Sequence, residues 1–252
     1  MFKNKSEKIV CTIEARMSSA RLPGKVLMPL AGKPNLERLV GRLRRSHSID
    51  DIVVATTENQ ADDVIAEFCK KIACRYFRGS EDDVLGRVLQ AAEHHDADLI
   101  VEITGDCPMI DHRHVDKTIE LFYSGDYDHA SNILEHSLPI GFDVQIFPLS
   151  VLKRIDRLTD DPIDRAHVSY YIYSHPEQFR LVGWRAEGDL NWPELALTLD
   201  EPEDYELLNK IYEELLPEKE DFSAEDIVML MKHRPDLRNI NTHIRRKTVQ
   251  EG

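Results

Sequence analysis

Short apolar runs alternate with helical periodicity through the first half of the chain. "KIVCTI" (8–13), "DIVVATT" (51–57) and "ADLIVEIT" (97–104) read as buried strands, with "RYFRG" (75–79) as a weaker edge strand. Between them, "PNLERLVGRLRR" (34–45), "ADDVIAEFCKKI" (61–72) and "EDDVLGRVLQAAEHH" (81–95) carry apolar residues at i, i+3 and i+4, the period of a helix with one buried face. Pro34 and Asp62 fit helix N-terminal preferences. Strand–helix alternation of this kind predicts βαβ units, a mainly parallel central sheet and a three-layer α/β/α architecture.

The pattern loosens after about residue 125. "FDVQIF" (142–147) and "FRLVGW" (179–184) read as strands, "DRAHVSYYIYSH" (164–175) as a helix, and "LALTLD" (195–200) as a further buried strand. Two helices close the chain, over 201–215 and 223–235, the second with Ser223 as N-cap and Asp226 at the capping-box position. The expectation is a single domain over 1–252, with about 125–185 as an insertion that builds a substrate wall or subunit contact.

Composition narrows the partners. The 252 residues carry 46 acidic and 32 basic side chains, a net charge of -14 that disfavours nucleic acid and anionic lipid. No apolar run approaches the length of a membrane span, and the polar opening "MFKNKSEK" lacks a signal-peptide core. Cys11, Cys69, Cys74 and Cys107 show no metal-ligand spacing and sit in apolar settings, as reduced thiols do. A cytoplasmic protein is expected.

Against this acidic background, "EARMSSARLPGKVLMPLAGKP" (14–34) concentrates Arg16, Arg21 and Lys25 directly after the first strand. Ligands of open α/β sheets sit at the carboxyl ends of parallel strands. Arg16, Arg21 and Lys25 can neutralise phosphates there, Ser18 and Ser19 can donate hydrogen bonds, and Gly24 allows close backbone approach. The loop is neither GxxxxGK[ST] nor GxGxxG, so two common nucleotide motifs are excluded. A solvated basic loop explains the charge alone equally well. Asp106 in "ITGDCPMID" and Asp200 in "LTLDEPED" each follow a strand reading, with Pro two residues on. Either one alone reads as a turn or helix cap. Both together with the loop read as Mg²⁺ ligands, since that ion takes one or two carboxylates plus phosphate oxygens and waters.

These stretches, with "IVVATTENQADD", "FRGSEDDVLGR", "GFDVQIF", "RAHVSYYIY" and "LTLDEPEDYEL" in that order, resemble the cytidylyltransferase family that includes CMP-Kdo and CMP-acylneuraminate synthetases. The likeness is strongest to its spore-coat polysaccharide (SpsF) branch. The resemblance implies a Rossmann-like nucleotidyltransferase fold with a small sugar-binding and dimerisation insertion, and a homodimer. It implies a CTP site lined by Ala15, Arg16, Met17, Ser18, Ser19, Arg21, Gly24 and Lys25, closed by Gly79–Ser80 and Arg87, with Gly105 beside it. Asp106 and Asp200 match the magnesium carboxylates. Gly141, Phe142 and Asp143 fall where the family forms its sugar pocket, with Arg165 and His167 facing that pocket or a dimer partner. Two positions depart from the branch: Glu14 stands where Gln is usual, and Ser18-Ser19 where Gly-Ser is usual. A carboxylate beside a triphosphate must face away or meet a cation.

The implied reaction is attack by a sugar-acid hydroxyl on the α-phosphorus of CTP, giving a CMP-sugar and pyrophosphate for surface-glycan synthesis. Lys25, Arg21, Asp106 and Asp200 are the expected catalytic residues. Two other readings keep the loop: an enzyme acting on a sugar phosphate, and a non-catalytic nucleotide-binding partner of a glycan assembly complex. Pocket charge separates the first from a sugar-acid enzyme, and pyrophosphate release separates the second.

Overall fold

The computed structural model describes residues 7–249; most of the polar opening segment considered for a signal peptide lies outside them. In chain order the elements are β1 (Ile9–Glu14), the short hairpin β2 (Pro29–Leu30) and β3 (Lys33–Pro34), α1 (Asn35–Leu43), β4 (Asp51–Thr57), α2 (Asp63–Lys71), β5 (Arg75–Gly79), α3 (Val84–His94) and β6 (Leu99–Thr104). There follow α4 (His112–Phe122), β7 (His129–Ser131), β8 (Gln145–Pro148), α5 (Leu149–Asp156), α6 (Pro162–Ala166), α7 (Tyr170–Ser174), β9 (Leu181–Gly183), α8 (Pro202–Leu215), α9 (Ala224–His233) and α10 (Pro235–Arg238).

The main sheet has seven strands in the order β5-β4-β1-β6-β8-β7-β9. The first four are mutually parallel; β8 runs antiparallel to both β6 and β7, and β9 is parallel to β7. Central β1 shows why the sequence folds this way. Its Ile9, Cys11 and Ile13 enter one core with α1, α2 and α4, while Val10 enters another with α3, α5 and α7. Side chains alternate between faces of a strand, so a strand covered on both sides must be apolar throughout. A third core joins α8, α9 and α10 to the 195–199 segment. The mainly parallel three-layer fold is therefore as the alternation predicts.

Several elements differ from the sequence reading. The 195–200 segment is extended but joins no strand; Leu195 and Leu197 bond the backbone of Ile140, and Leu199 bonds that of Asp106. The helix expected over 164–175 breaks into α6 and α7 at residues 167–169, where Val168 is fully buried with φ at 30°, a strained conformation for a β-branched residue. The 125–185 stretch supplies β7, β8 and β9 to the sheet itself. Helix α4 is additional. It is capped by Asp111, whose side chain accepts from Arg113 N–H, and it buries Val115, Thr118, Ile119 and Phe122. The Ser223–Asp226 capping box forms as predicted, starting α9.

Candidate active site

The loop after β1 runs over the carboxyl ends of the parallel strands, and its backbone is pinned at both ends. Met17 N–H donates to Asp62 Oδ1 at 2.6 Å, and Gly24 N–H donates to Met17 O at 2.9 Å. Across from it, Gly105 N–H donates to Glu14 O at 2.9 Å. A Cβ at Gly105 would stand 2.5 Å from that carbonyl, so the strand ends close up only around glycine. Asn35 Nδ2 seals the turn from Gly105 O at 2.8 Å.

Lys25 projects from this loop onto the two predicted carboxylates, donating to Asp106 Oδ2 and Asp200 Oδ1, each at 2.8 Å. Burial works against its charge, yet Asp106 and Asp200 together hold its pKa above the ordinary lysine value. Asp106 is steadied by Thr104, whose hydroxyl donates at 2.7 Å. Asp200 is steadied from behind: its N–H and that of Glu201 both donate to Asp204 Oδ2, the capping-box carboxylate of α8. The capping role therefore belongs to Glu201 and Asp204, which leaves the Asp200 side chain to the cleft. Arg21 adds a second cation, 3.0 Å from Asp200 Oδ1 and 3.5 Å from Glu201 Oε1.

Whether two carboxylates suit Mg²⁺ is decided by geometry and donor type. Both oxygens already converge on one cationic nitrogen at 2.8 Å, and hard oxygen donors match the ion. Among the described residues no group of three or more His, Cys, Asp or Glu side chains is placed to hold a metal. The pair fits an ion whose remaining ligands are phosphate and water, not one caged by protein alone.

Two adjoining hollows share this centre. The smaller, of about 380 Å³, is lined by Ala15, Arg16, Ser19, Arg21, Lys25, Arg87, Gly105 and Asp106. The larger, of about 590 Å³, is lined by Glu14, Glu102, Asp143, His136 and Tyr173. Glu14, Arg21, Thr104, Ala166, His167, Asp200 and Lys247 line both and mark their junction. Burial lowers the pKa of His167, favouring its neutral form.

The remaining predicted residues divide. Arg16 and Ser18 both meet Glu81, which also accepts from Asn59, so this part of the loop is tied to the segment before α3. The Ser80 hydroxyl accepts from Asp83 N–H at 3.1 Å and serves the local turn. Arg87 is fully buried, with its guanidinium on the carbonyls of Ala55, Ser80 and Glu81, so it braces that turn from below. Phe142 is fully buried in the core with α8 and α9 and does not line the larger hollow. Gly141, at φ 106°, packs against the Leu197 backbone, where a Cβ would come within 2.9 Å. Arg165 lies away from both hollows, locked onto Asp83 and Asp156. Glu14 lines both hollows, beside Glu102 and within reach of the Arg87 charge.

Sequence reasoning missed Glu102. Its signal was there, as the lone charged residue inside the apolar strand "LIVEIT". A carboxyl placed in the middle of a buried strand is rarely idle.

A mainly parallel sheet with a cation-rich loop after β1 and two carboxylates facing it from later loops defines a nucleotidyltransferase fold. The chain belongs to the cytidylyltransferase family, whose model it matches over residues 10–238. It is 34% identical to the spore coat polysaccharide biosynthesis protein SpsF of Bacillus subtilis over 90% of this chain and 95% of that one. It superposes on a cytidylyltransferase structure from Leptospira borgpetersenii with TM-score 0.88 and 32% identity, covering 96% of this chain and 100% of that one. A CMP:2-keto-3-deoxy-manno-octonic acid synthetase structure, complexed with CTP, shares the fold at TM-score 0.64 and 16% identity, covering 83% and 100% respectively. Among the described residues no helix is long and apolar enough to cross a membrane.

Proposed function

We propose that this cytidylyltransferase transfers CMP from CTP to a hydroxyl of a sugar acid, of nonulosonic or octulosonic type, releasing pyrophosphate for surface-glycan synthesis. The observation that carries this reading is the Lys25 ammonium seated between Asp106 and Asp200 beside Arg21. The smaller hollow takes the triphosphate, with Lys25 and Arg21 positioned to offset charge on the departing pyrophosphate. The larger takes the acceptor. Its reacting hydroxyl belongs at the junction, where Arg21, His167 and Lys247 stand. A ketosugar acid bears its carboxylate on the same carbon as that hydroxyl, so the two would reach Arg21 and Lys247 together, with the neutral His167 beside them. Holding the hydroxyl in line with the α-phosphorus is the main contribution of the fold. Asp106 and Asp200 would hold Mg²⁺, which when bound supplies charge neutralisation on the phosphates and a lower pKa for the attacking hydroxyl. A homodimer is part of the same reading and is checked by sedimentation of the purified chain.

The test is pyrophosphate release from each of four nucleoside triphosphates with octulosonic and nonulosonic acids, with and without Mg²⁺. Release with CTP, Mg²⁺ and a sugar acid supports the reading. Asp106→Asn and Asp200→Asn should each cut turnover about a hundredfold or more while circular dichroism stays native. Full activity in both variants at low Mg²⁺ would remove the metal assignment. CTP binding without pyrophosphate release under any condition would leave the non-catalytic alternative.

A further inference from the structure

The segment after α10 returns to the junction of the two hollows, and one carboxylate holds it there. Asp204, in the first turn of α8, is fully buried. Its Oδ2 accepts from the N–H groups of Asp200 and Glu201 at 3.1 and 2.9 Å, and from Arg246 Nη1 at 2.8 Å. Its Oδ1 accepts from Arg246 Nη2 at 2.6 Å and from Asn241 Nδ2 at 2.8 Å. Asn241 also donates to Ala196 O at 3.0 Å. Residues 241 and 246 are therefore both tied to the carboxylate that steadies Asp200, and the next residue, Lys247, lines both hollows. Among the cations of the larger hollow, Arg21 is engaged by Asp200 and Glu201, and Arg246 by Asp204. No carboxylate among the described residues pairs with the exposed Lys247. Away from the junction the hollow carries Glu102 and Asp143, with His136 facing Asp143.

We infer that Arg246 is a positioning residue: by gripping Asp204 it holds the backbone of Lys247 at the junction, where the Lys247 ammonium receives the carboxylate of the acceptor. This rests on the transfer reading above and assigns the residues that hold the acid within it. A lysine on a loose segment loses backbone as well as side-chain freedom when it binds, and pinning the preceding residue removes the larger part of that loss in advance. Arg246 can be removed without releasing Asp200. Asp204 Oδ2 then keeps its two backbone donors and Oδ1 keeps Asn241, so the Asp200 loop stays anchored while Lys247 is freed.

The experiment is calorimetric titration of a 3-deoxy-octulosonic acid into the full chain loaded with α,β-methylene CTP, which cannot release pyrophosphate. Lys247→Met should weaken binding of the acid about tenfold or more, the size of one charge-assisted hydrogen bond. Arg246→Gln should weaken it about threefold or more. Arg246→Lys should fall between Arg246→Gln and the parent, since it keeps the charge and loses the two-pronged grip. In a Lys247→Met background, Arg246→Gln should add no more than about a twofold loss; a brace that served the fold alone would act equally in both backgrounds. Affinity for α,β-methylene CTP itself should stay within about twofold throughout. Thermal melting identifies a variant that has lost its fold; should Arg246→Gln do so, Arg246→Lys decides. No binding of the acid, unchanged affinity in the folded variants, equal effects of Arg246→Gln in both backgrounds, or a loss confined to the nucleotide overturns the proposal. Pyrophosphate release with authentic CTP is read in parallel. The expected binding pattern without release keeps the carboxylate site and sinks the transfer reading. Release with acid affinity unchanged in the variants keeps transfer and sinks the positioning role.

Discussion

Asp106 and Asp200 hold one ammonium between them, with Lys25 Nζ 2.8 Å from an oxygen of each. The two carboxylates come from loops far apart in the chain. They are brought together because Leu199 N–H donates to Asp106 O at 2.8 Å, stitching the loops side by side. On the proposed reading, an ion bound by Asp106 and Asp200 would share the oxygens that Lys25 occupies, so lysine and ion would compete for them.

Lys25→Met should therefore act in opposite directions on two measurements. Turnover should fall about a hundredfold or more, as when a charge-stabilising donor is removed. Binding of Mn²⁺ without nucleotide, followed by electron paramagnetic resonance, should strengthen because the competing cation is gone. Unchanged Mn²⁺ affinity would show that the two carboxylates are not where the ion sits.

Gly105→Ala tests the close approach of β1 and β6 at their carboxyl ends. The new Cβ meets a backbone carbonyl, Glu14 O, at 2.5 Å, and no side-chain rotation relieves that contact. Urea unfolding should report a loss of about 1–3 kcal/mol, the usual range for forced overpacking. Turnover should fall as well, because the displaced strand ends carry the loop and Asp106.

The sheet was legible where strands alternate with helices. β4 and β5 fall on the predicted residues, and β1 and β6 within two of them, because burial on both faces demands uninterrupted apolar runs. The cation loop and Asp106 were legible for a related reason, since charged residues just past such runs stand at the ligand-binding edge; Asp200 was reached through a strand reading of 195–200 that the fold does not bear out. Beyond residue 125 the signal failed. β7 and β9 are three residues long, too short to show a period. The 195–200 run is apolar because it lines the core of α8 and α9, not because it pairs in a sheet. Of the two places its motif suggested, Arg165 does not take the pocket, as a sequence cannot show that Asp83 and Asp156 claim its guanidinium.

Arg165→Gln follows from that last point. Arg165 ties α6 to the first turn of α3 through Asp83 and to the end of α5 through Asp156, and it lines neither hollow. Its loss should lower stability by about 1 kcal/mol, the upper end for pairs partly open to water, seen as a lower melting temperature. The KM for the acceptor, measured below the melting range, should stay within about twofold if no contact is lost. A large rise in KM alone would place Arg165 back in the acceptor site.

The carboxyls of the larger hollow give the protein a pH dependence opposite to that of paired surface acids. Burial raises Glu102 to about 7 and Asp143 to about 6, above the values near 4 that such groups have in an unfolded chain. Between those limits the folded state holds more protons than the unfolded one, so stability must fall as pH rises. The Glu102 share of the loss begins near pH 4 and is complete above its folded value, near 7. Glu102→Gln removes the Glu102 share of this effect, because the amide cannot ionise in its buried site. Melting curves from pH 4 to 8 should therefore descend less steeply in the variant. The two proteins should be closest at pH 4, and the variant should be the more stable at pH 8. Parallel curves would mean that Glu102 is already ionised in the folded protein without a ligand, held by a cation that its surroundings do not show.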